Sequence, residues 1–342
     1  MKRLPSLDGL RAVSVILVLL FHAVLSKDFP AQLKPFAKFG DVGVTIFFVI
    51  SGFLITYLLL TEYENNGKIN LKRFYIRRAF RILPVFLLYT GFIVIWKNFE
   101  NIFVTTSNLL HVVTFTVNFD VKKSWFTGHF WSLSIEEQFY LFLPALLVFY
   151  RKRVIPIIAC ILVYSCITRV ISYKFAPLGN YFLAPFFDYA DALFIGVLAG
   201  IYYQKNPAIV NYKIFSNVII QLFAVILIAL FKYTASTGHL AIISLPFGNT
   251  IISLCIIFLI ISSINPDNKN MYKVLNSKLF IHIGILSYSI YVWQEFFFVG
   301  EFMPFWRMFP FNMVCIYFVS LCSYYLWEQP FLKMKRSFKT IN

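Results

Sequence analysis

The sequence predicts an all-α, polytopic integral membrane bundle of about ten transmembrane helices with both termini in the cytoplasm. Three observations carry this. Of 342 residues, 59% are hydrophobic and only 13% charged, more apolar surface than a soluble fold can hide. The apolar residues fall into about eleven segments, most near the roughly 20 residues that cross a bilayer. The basic residues gather in short connections, where they orient a membrane chain.

The apolar segments run near Leu10–Ser26, Asp41–Thr61, Arg81–Trp96, Ile102–Asn118, Phe130–Tyr150, Val154–Tyr173, Phe182–Tyr203, Ile214–Tyr233, Leu240–Ile264, Phe280–Val299 and Met308–Trp327. The basic start MKRLPSLDGLR resembles a signal peptide, but no small-residue cleavage site follows its apolar run, so it reads as a retained first span. With Lys2 and Arg3 inside, the next inner loop carries Lys68, Lys72, Arg73, Arg77, Arg78 and Arg81. Segment Ile102–Asn118 is interrupted by Thr105, Thr106, Ser107, Asn108 and His111. If it does not cross, Arg151–Arg153, Lys205, Lys213, Lys269, Lys273, Lys278 and the basic tail all fall inside, as the positive-inside rule asks. It is then a re-entrant or interfacial piece, covered by protein or lining a water-filled cavity.

The longest loop, Glu62 to Arg78, contains the turn-like Asn65-Asn66-Gly67 and is too short for a second domain. Residues 1–342 therefore read as one membrane-embedded domain with no fused extracytoplasmic domain. The net charge of +16 invites a nucleic-acid partner, but its confinement to loops between spans argues against one. Cys160, Cys166, Cys255, Cys315 and Cys322 lie in apolar segments without metal-ligand spacing, so no metal site is expected and the thiols read as buried, reduced hydrophobes.

The stretch LDGLRAVSVILVLLFH carries Asp8, Arg11 and His22. Arg11 and His22 are eleven residues apart, which on a helix is three turns plus roughly 20°, so they share a face about 16 Å apart. An ionisable group inside a span is a functional hypothesis by default. His22 falls near the outer end of the first span. HFWSLSIEEQFYLFLP begins on the outer side, which puts Glu136 and Glu137 at similar depth. A neutral His beside a carboxylate is the arrangement of a general base; two polar groups satisfying each other is the structural alternative.

Arg11, Arg77, Arg78 and Arg81 gather at the inner side, near Asp8 and Glu328. Arginine matches phosphate geometry, so a phosphorylated cytosolic ligand suits them; orientation and contact with anionic lipid is the other reading. In DVGVTIFFVISGFLI, Gly43, Ser51 and Gly52 favour close helix packing. Asp188 and Asp191 lie nearer the midplane, and Tyr288, Trp293 and Gln294 are candidates to line the same cavity. Ser132, Ser134 and Tyr288 are candidate oxyanion donors.

These stretches resemble membrane acyltransferase family 3. The resemblance rests on LDGLRAVSVILVLLFH, GVTIFFVISGFLIT, FYIRRAFRILP, WSLSIEEQFYLFLP, SYSIYVWQ and WEQPF, in the family's order from Leu7 to Phe331. It implies an O-acyltransferase, in its commonest form an O-acetyltransferase of the bacterial plasma (inner) membrane and cell envelope. Acyl-CoA, expected as acetyl-CoA, is the donor substrate, and no cofactor is bound. The acceptor is a hydroxyl of an extracytoplasmic or lipid-linked glycan. The family's essential histidine matches His22, its WSLSxE glutamate Glu136, and its donor-binding arginines Arg11, Arg77 and Arg81. Asp8, Ser132, Ser134, Asp191 and Tyr288 are candidates to line the site. One departure is that Gln294 stands where many members have histidine, which argues against proton transfer there. Some members carry a fused esterase-like domain; a chain ending at Asn342 is expected to act alone or hand over to a separate protein. The alternative from another class is a polysaccharide or lipid transporter with a His/Glu proton relay.

Overall fold

A computed structural model describes the backbone of residues 4–100, 102–175, 184–298 and 304–337. Lys2, Arg3, Lys339, the start of the Phe182–Tyr203 segment and the end of Phe280–Val299 lie outside the described residues. Among the described residues all regular structure is helical. The longer helices are α1 (Leu7–Ala23), α2 (Gly40–Asn66), α3 (Leu71–Trp96), α4 (Thr106–Val113), α5 (Phe130–Phe149), α6 (Val154–Lys174), α7 (Ala184–Lys205), α8 (Val218–Thr237), α9 (Ala241–Ile264), α10 (Lys278–Trp293), α11 (Phe311–Cys322) and α12 (Gln329–Ser337). Among these residues, seven helical stretches are long and apolar enough to cross a membrane. α1, with 17 residues, is at the short end of what spans a bilayer.

The helices begin and end where the side chains dictate. Asn70 caps α3 by accepting the Arg73 N–H at 2.9 Å. α2 stops at Gly67, whose φ of +68° is open to glycine at little cost. Arg77, Arg78 and Arg81, expected to precede and open the third segment, all lie within α3. In the Ile102–Asn118 segment the regular structure is α4, eight residues long, and a short turn at Val117–Phe119. At 1.5 Å per residue α4 reaches about 12 Å, short of a bilayer core of about 30 Å. Thr105 and Asn108 form a reciprocal capping box at its start. The Met308–Trp327 segment is not one regular helix: α11 passes into a π-helical stretch, Ser323–Glu328, before α12.

The chain divides into two compact units. The first comprises Met1–Ser14, Asp41–Ile69 and Ile135–Gly284; the second comprises Val15–Gly40, Asn70–Ser134 and Ile285–Asn342. In the first unit, α2 and α7 meet backbone to backbone. A Cβ on Gly52 would strike the Leu193 carbonyl, and one on Gly196 the Val49 carbonyl and the Phe53 amide. Gly200 sits one turn on, against Phe53 and Thr56. This is the small-residue packing that helices use in lipid, where no hydrophobic drive brings them together. The Ser14 hydroxyl donates to the Gly43 carbonyl on the same principle. α8 turns Ile219, Leu222, Phe223 and Ile226 outward, an apolar face suited to hydrocarbon.

In the second unit the core is aromatic. Phe86 stacks on Phe115 at 4.8 Å and packs on Phe130 at 5.2 Å. Tyr89 is fully buried, and its hydroxyl donates to the Phe126 carbonyl at 2.7 Å, as a buried phenol must. The cysteines correct one expectation. All five are free, but only Cys255 is buried, while Cys160 and Cys322 are exposed. A helix in lipid is apolar on its outer face too, so apolar context does not imply burial.

Candidate active site

His22 lies one residue before the end of α1. Its Nδ1 is 3.1 Å from the Val18 carbonyl one turn back. A carbonyl only accepts, so Nδ1 carries a proton, and in the neutral ring Nε2 keeps the lone pair. Nε2 is 3.4 Å from Oε1 of Glu295. Phe21 and Trp125 meet the ring edge-on at 5.1 and 5.8 Å, and Phe298 stacks at 6.1 Å. The imidazole thus has one polar edge directed at a carboxylate and aromatic walls elsewhere.

Glu295 sits on the 3-10 turn Gln294–Phe297 that follows α10. Only 4% of it is exposed. Its Oε2 is 2.8 Å from His129 Nδ1 and accepts the His129 backbone N–H at 3.3 Å. The Trp125 indole N–H donates to the Glu295 carbonyl at 3.0 Å, which ties the turn to the short helix Trp125–Gly128. His129 closes that short helix and is itself buried; its Nε2 faces the Val292 carbonyl at 3.1 Å. The Tyr291 hydroxyl donates to the His129 carbonyl at 2.7 Å and is 2.5 Å from Ser132 Oγ. Gln294 is completely buried with its carboxamide near His22.

The other expected residues fall as follows. Glu136 belongs to the first unit; its carboxylate accepts from the Ser51 hydroxyl and, at 2.8 Å, from the Tyr140 hydroxyl. The carboxylate that the structure sets against His22 is Glu295. Ser134 Oγ donates to the Phe130 carbonyl at 2.9 Å and accepts the Val117 N–H at 3.2 Å, and the Tyr288 hydroxyl donates to the Ile82 carbonyl at 2.7 Å. Both hydroxyl protons are therefore committed to backbone carbonyls. Asp191 is fully buried in the first unit, paired with Arg169 at 2.5 Å and accepting from Thr250 at 2.6 Å. Asp8 and Arg11 belong to the first unit, and Arg77 and Arg81 to the second. Arg81 Nη1 is 2.8 Å from Oε1 of Glu328, whose side chain is wholly buried and also accepts from Ser289 at 3.0 Å. Among the described residues no group of His, Cys, Asp and Glu is arranged to hold a metal ion.

Glu295 and His129 are the residues that sequence reasoning passed over. The signal was present. Glu295 is a carboxylate in the apolar run following SYSIYVW, and the rule that singled out Glu136 as an acid in a span applies to it equally. His129 stands two residues before the tryptophan of WSLSIEEQ. Nothing in the one-dimensional pattern joins position 22 to 295.

The model of a family described as an acyltransferase domain matches residues 4–327. A protein of Staphylococcus aureus (strain COL) named "Putative O-acetyltransferase SACOL0978" is 29% identical over 97% of this chain and 58% of its own. The peptidoglycan O-acetyltransferase OatA of Listeria monocytogenes is 38% identical over 45% of this chain and 25% of its own. A Bacillus subtilis protein named "Putative peptidoglycan O-acetyltransferase YrhL" is 31% identical over 50% of this chain and 29% of its own. The chain spans less than two thirds of the length of these relatives. No solved structure matches it.

Proposed function

This chain belongs to the membrane acyltransferase family, acyltransferase family 3, and from that premise we propose that it moves an acyl group from acyl-CoA to a hydroxyl of an extracytoplasmic or lipid-linked glycan. Acetyl is the expected acyl group, and peptidoglycan, named for two of the relatives, is the first acceptor to test. Residence in the inner membrane with about ten spans and cytoplasmic termini is part of the same reading.

The observation that carries the proposal is the setting of His22: Nδ1 tied to a carbonyl, and a carboxylate 3.4 Å from Nε2. That is a base with its tautomer fixed and its conjugate acid stabilised in advance. The acceptor hydroxyl gives its proton to Nε2 as its oxygen attacks the thioester carbonyl carbon. The carbon–sulfur bond then breaks, and the leaving thiolate takes the proton from the imidazolium as free CoA. The aromatic walls around His22 exclude the water that would otherwise compete as acceptor.

Arg77 and Arg81, both on α3, are the proposed partners of the donor phosphates. Arg81 uses Nη1 on Glu328, which leaves further N–H groups of its five-donor fork for a phosphate. Glu136, with Ser51 and Tyr140, remains a candidate catalytic group. The test is transfer from radiolabelled acetyl-CoA to a peptidoglycan fragment by the purified protein. Label in the glycan that disappears in His22→Ala supports the reading. Glycan that stays unlabelled while protons cross the membrane would favour the transporter.

A further inference from the structure

The contacts of His129 fix more than its position. Nδ1 is 2.8 Å from a carboxylate oxygen and Nε2 is 3.1 Å from a backbone carbonyl. Both partners are acceptors, and a neutral imidazole has a single N–H. The two contacts are satisfied together only if the Glu295–His129 pair holds one proton beyond that of a neutral imidazole and an ionised carboxylate. The His129 backbone N–H bears on where it sits. Oε2 accepts that N–H at 3.3 Å and faces Nδ1 at 2.8 Å, and hydrogen bonds to a carboxylate favour its charged form. Placed on the ring, the proton makes His129 and Glu295 a buried imidazolium–carboxylate pair.

This has a consequence for His22. A carboxylate 3.4 Å from Nε2 favours the His22 imidazolium and so weakens the resting ring as a base. A cation on the far oxygen of the same carboxylate counters that pull. We propose that Glu295 and His129 act together as positioning residues that keep His22 neutral at rest and stabilise its imidazolium as it forms. This rests on the reading of His22 as the catalytic base. The titratable groups nearest the pair are Tyr89, edge-on to His129 at 5.5 Å, and Tyr291, whose hydroxyl is spent on the His129 carbonyl. The nearby cation Arg307 is committed to Glu100 at 2.9 Å and the Phe296 carbonyl at 3.2 Å.

The test is the pH–rate profile of acetyl transfer to a peptidoglycan fragment for the full-length protein and two near-isosteric variants. Glu295→Gln removes the attraction, so its acid limb is expected to move to lower pH, with a reduced plateau. His129→Asn keeps an N–H near the Nδ1 position but loses the charge, so its acid limb is expected at higher pH. Shifts on the order of one pH unit in opposite directions are expected for charges this close. A residue that only packs would scale the rate without moving the limb. Superimposable profiles, or shifts in the same direction, would overturn the proposal. Nitrogen NMR of ring-labelled histidine in the wild-type protein supplies a readout independent of turnover. It is expected to show one imidazole with both nitrogens protonated at neutral pH, retained in His22→Ala and lost in His129→Asn. A neutral tautomer at His129 would overturn the proposal even if transfer is observed. A wild-type protein that transfers nothing, yet shows the doubly protonated ring, would refute the acyltransferase reading and leave the buried pair standing.

Discussion

Oε1 of Glu295 lies 3.4 Å from Nε2 of His22, while the other side of the same ring is fixed to the Val18 carbonyl. This relationship makes His22 directional. One nitrogen is reserved for structure and the other is left for chemistry.

Removal of that nitrogen is the first prediction. Loss of an essential general base costs typically about 10²–10⁴-fold in rate. His22→Ala is therefore expected to reduce acetyl transfer to background, with expression and membrane insertion unchanged, since alanine is easier to insert into a bilayer than histidine. Because the base acts in its neutral form, wild-type transfer should fall as pH is lowered. Normal insertion with near wild-type transfer would remove His22 from the mechanism.

Glu136 and Glu295 are predicted to behave differently. Glu136 is held by Ser51 and Tyr140, so Glu136→Gln should lower the rate without moving the acid limb of the pH profile. Glu295→Gln should move it. Measuring both profiles against the same acceptor separates the two carboxylates, and an acid limb that follows Glu136 instead would return the orienting role to that residue.

The Arg81–Glu328 pair predicts a separation of stability from donor affinity. Arg81→Ala leaves a wholly buried carboxylate without this partner, and stranding one member of a buried pair costs about 3–5 kcal/mol. Thermal unfolding in detergent should therefore shift downward. Adding Glu328→Gln neutralises the stranded charge and should recover most of that loss. Donor KM should stay raised in both proteins, by roughly ten- to a hundredfold for a lost phosphate contact. A double variant with wild-type donor affinity would assign Arg81 to structure alone.

Two glycines on different helices should respond in opposite ways to the same change. Gly196→Ala puts a Cβ into the Val49 carbonyl and the Phe53 amide across the α2–α7 contact. The helices must separate, and a loss of thermal stability is expected. Gly91, in α3, has nothing within 4 Å of the added carbon. Gly91→Ala should be neutral or stabilising by up to about 1 kcal/mol, the helix-propensity difference. Equal effects at the two positions would contradict the close approach.

Much of this protein is determined locally, and is therefore legible in the order of its residues. Hydrophobic runs long enough to leave water define helices because each helix satisfies its own backbone within lipid. Gly67 ends α2 and Asn70 starts α3 through geometry that spans only a few residues. The packing role of Gly52 is of the same kind, since a small side chain permits a close approach whichever helix meets it; that Gly196 meets it was decided by tertiary structure. His22 could be singled out because a titratable group in an apolar helix is costly wherever it points.

Its carboxylate partner was decided by tertiary structure. Positions 22, 129 and 295 are far apart in sequence, and no periodicity links them. They meet because the turn after α10 and the short helix Trp125–Gly128 are pinned together by the Trp125–Glu295 hydrogen bond. Matching depth in the bilayer pointed to Glu136 and could not reveal Glu295. Depth is one coordinate, and a hydrogen bond needs three. The sequence placed Glu328 at the depth of the arginines, and tertiary structure decided that its partner is Arg81. Glu328 reaches it from the π-helical stretch Ser323–Glu328, whose altered winding re-aims side chains in a way that a regular helical projection does not anticipate.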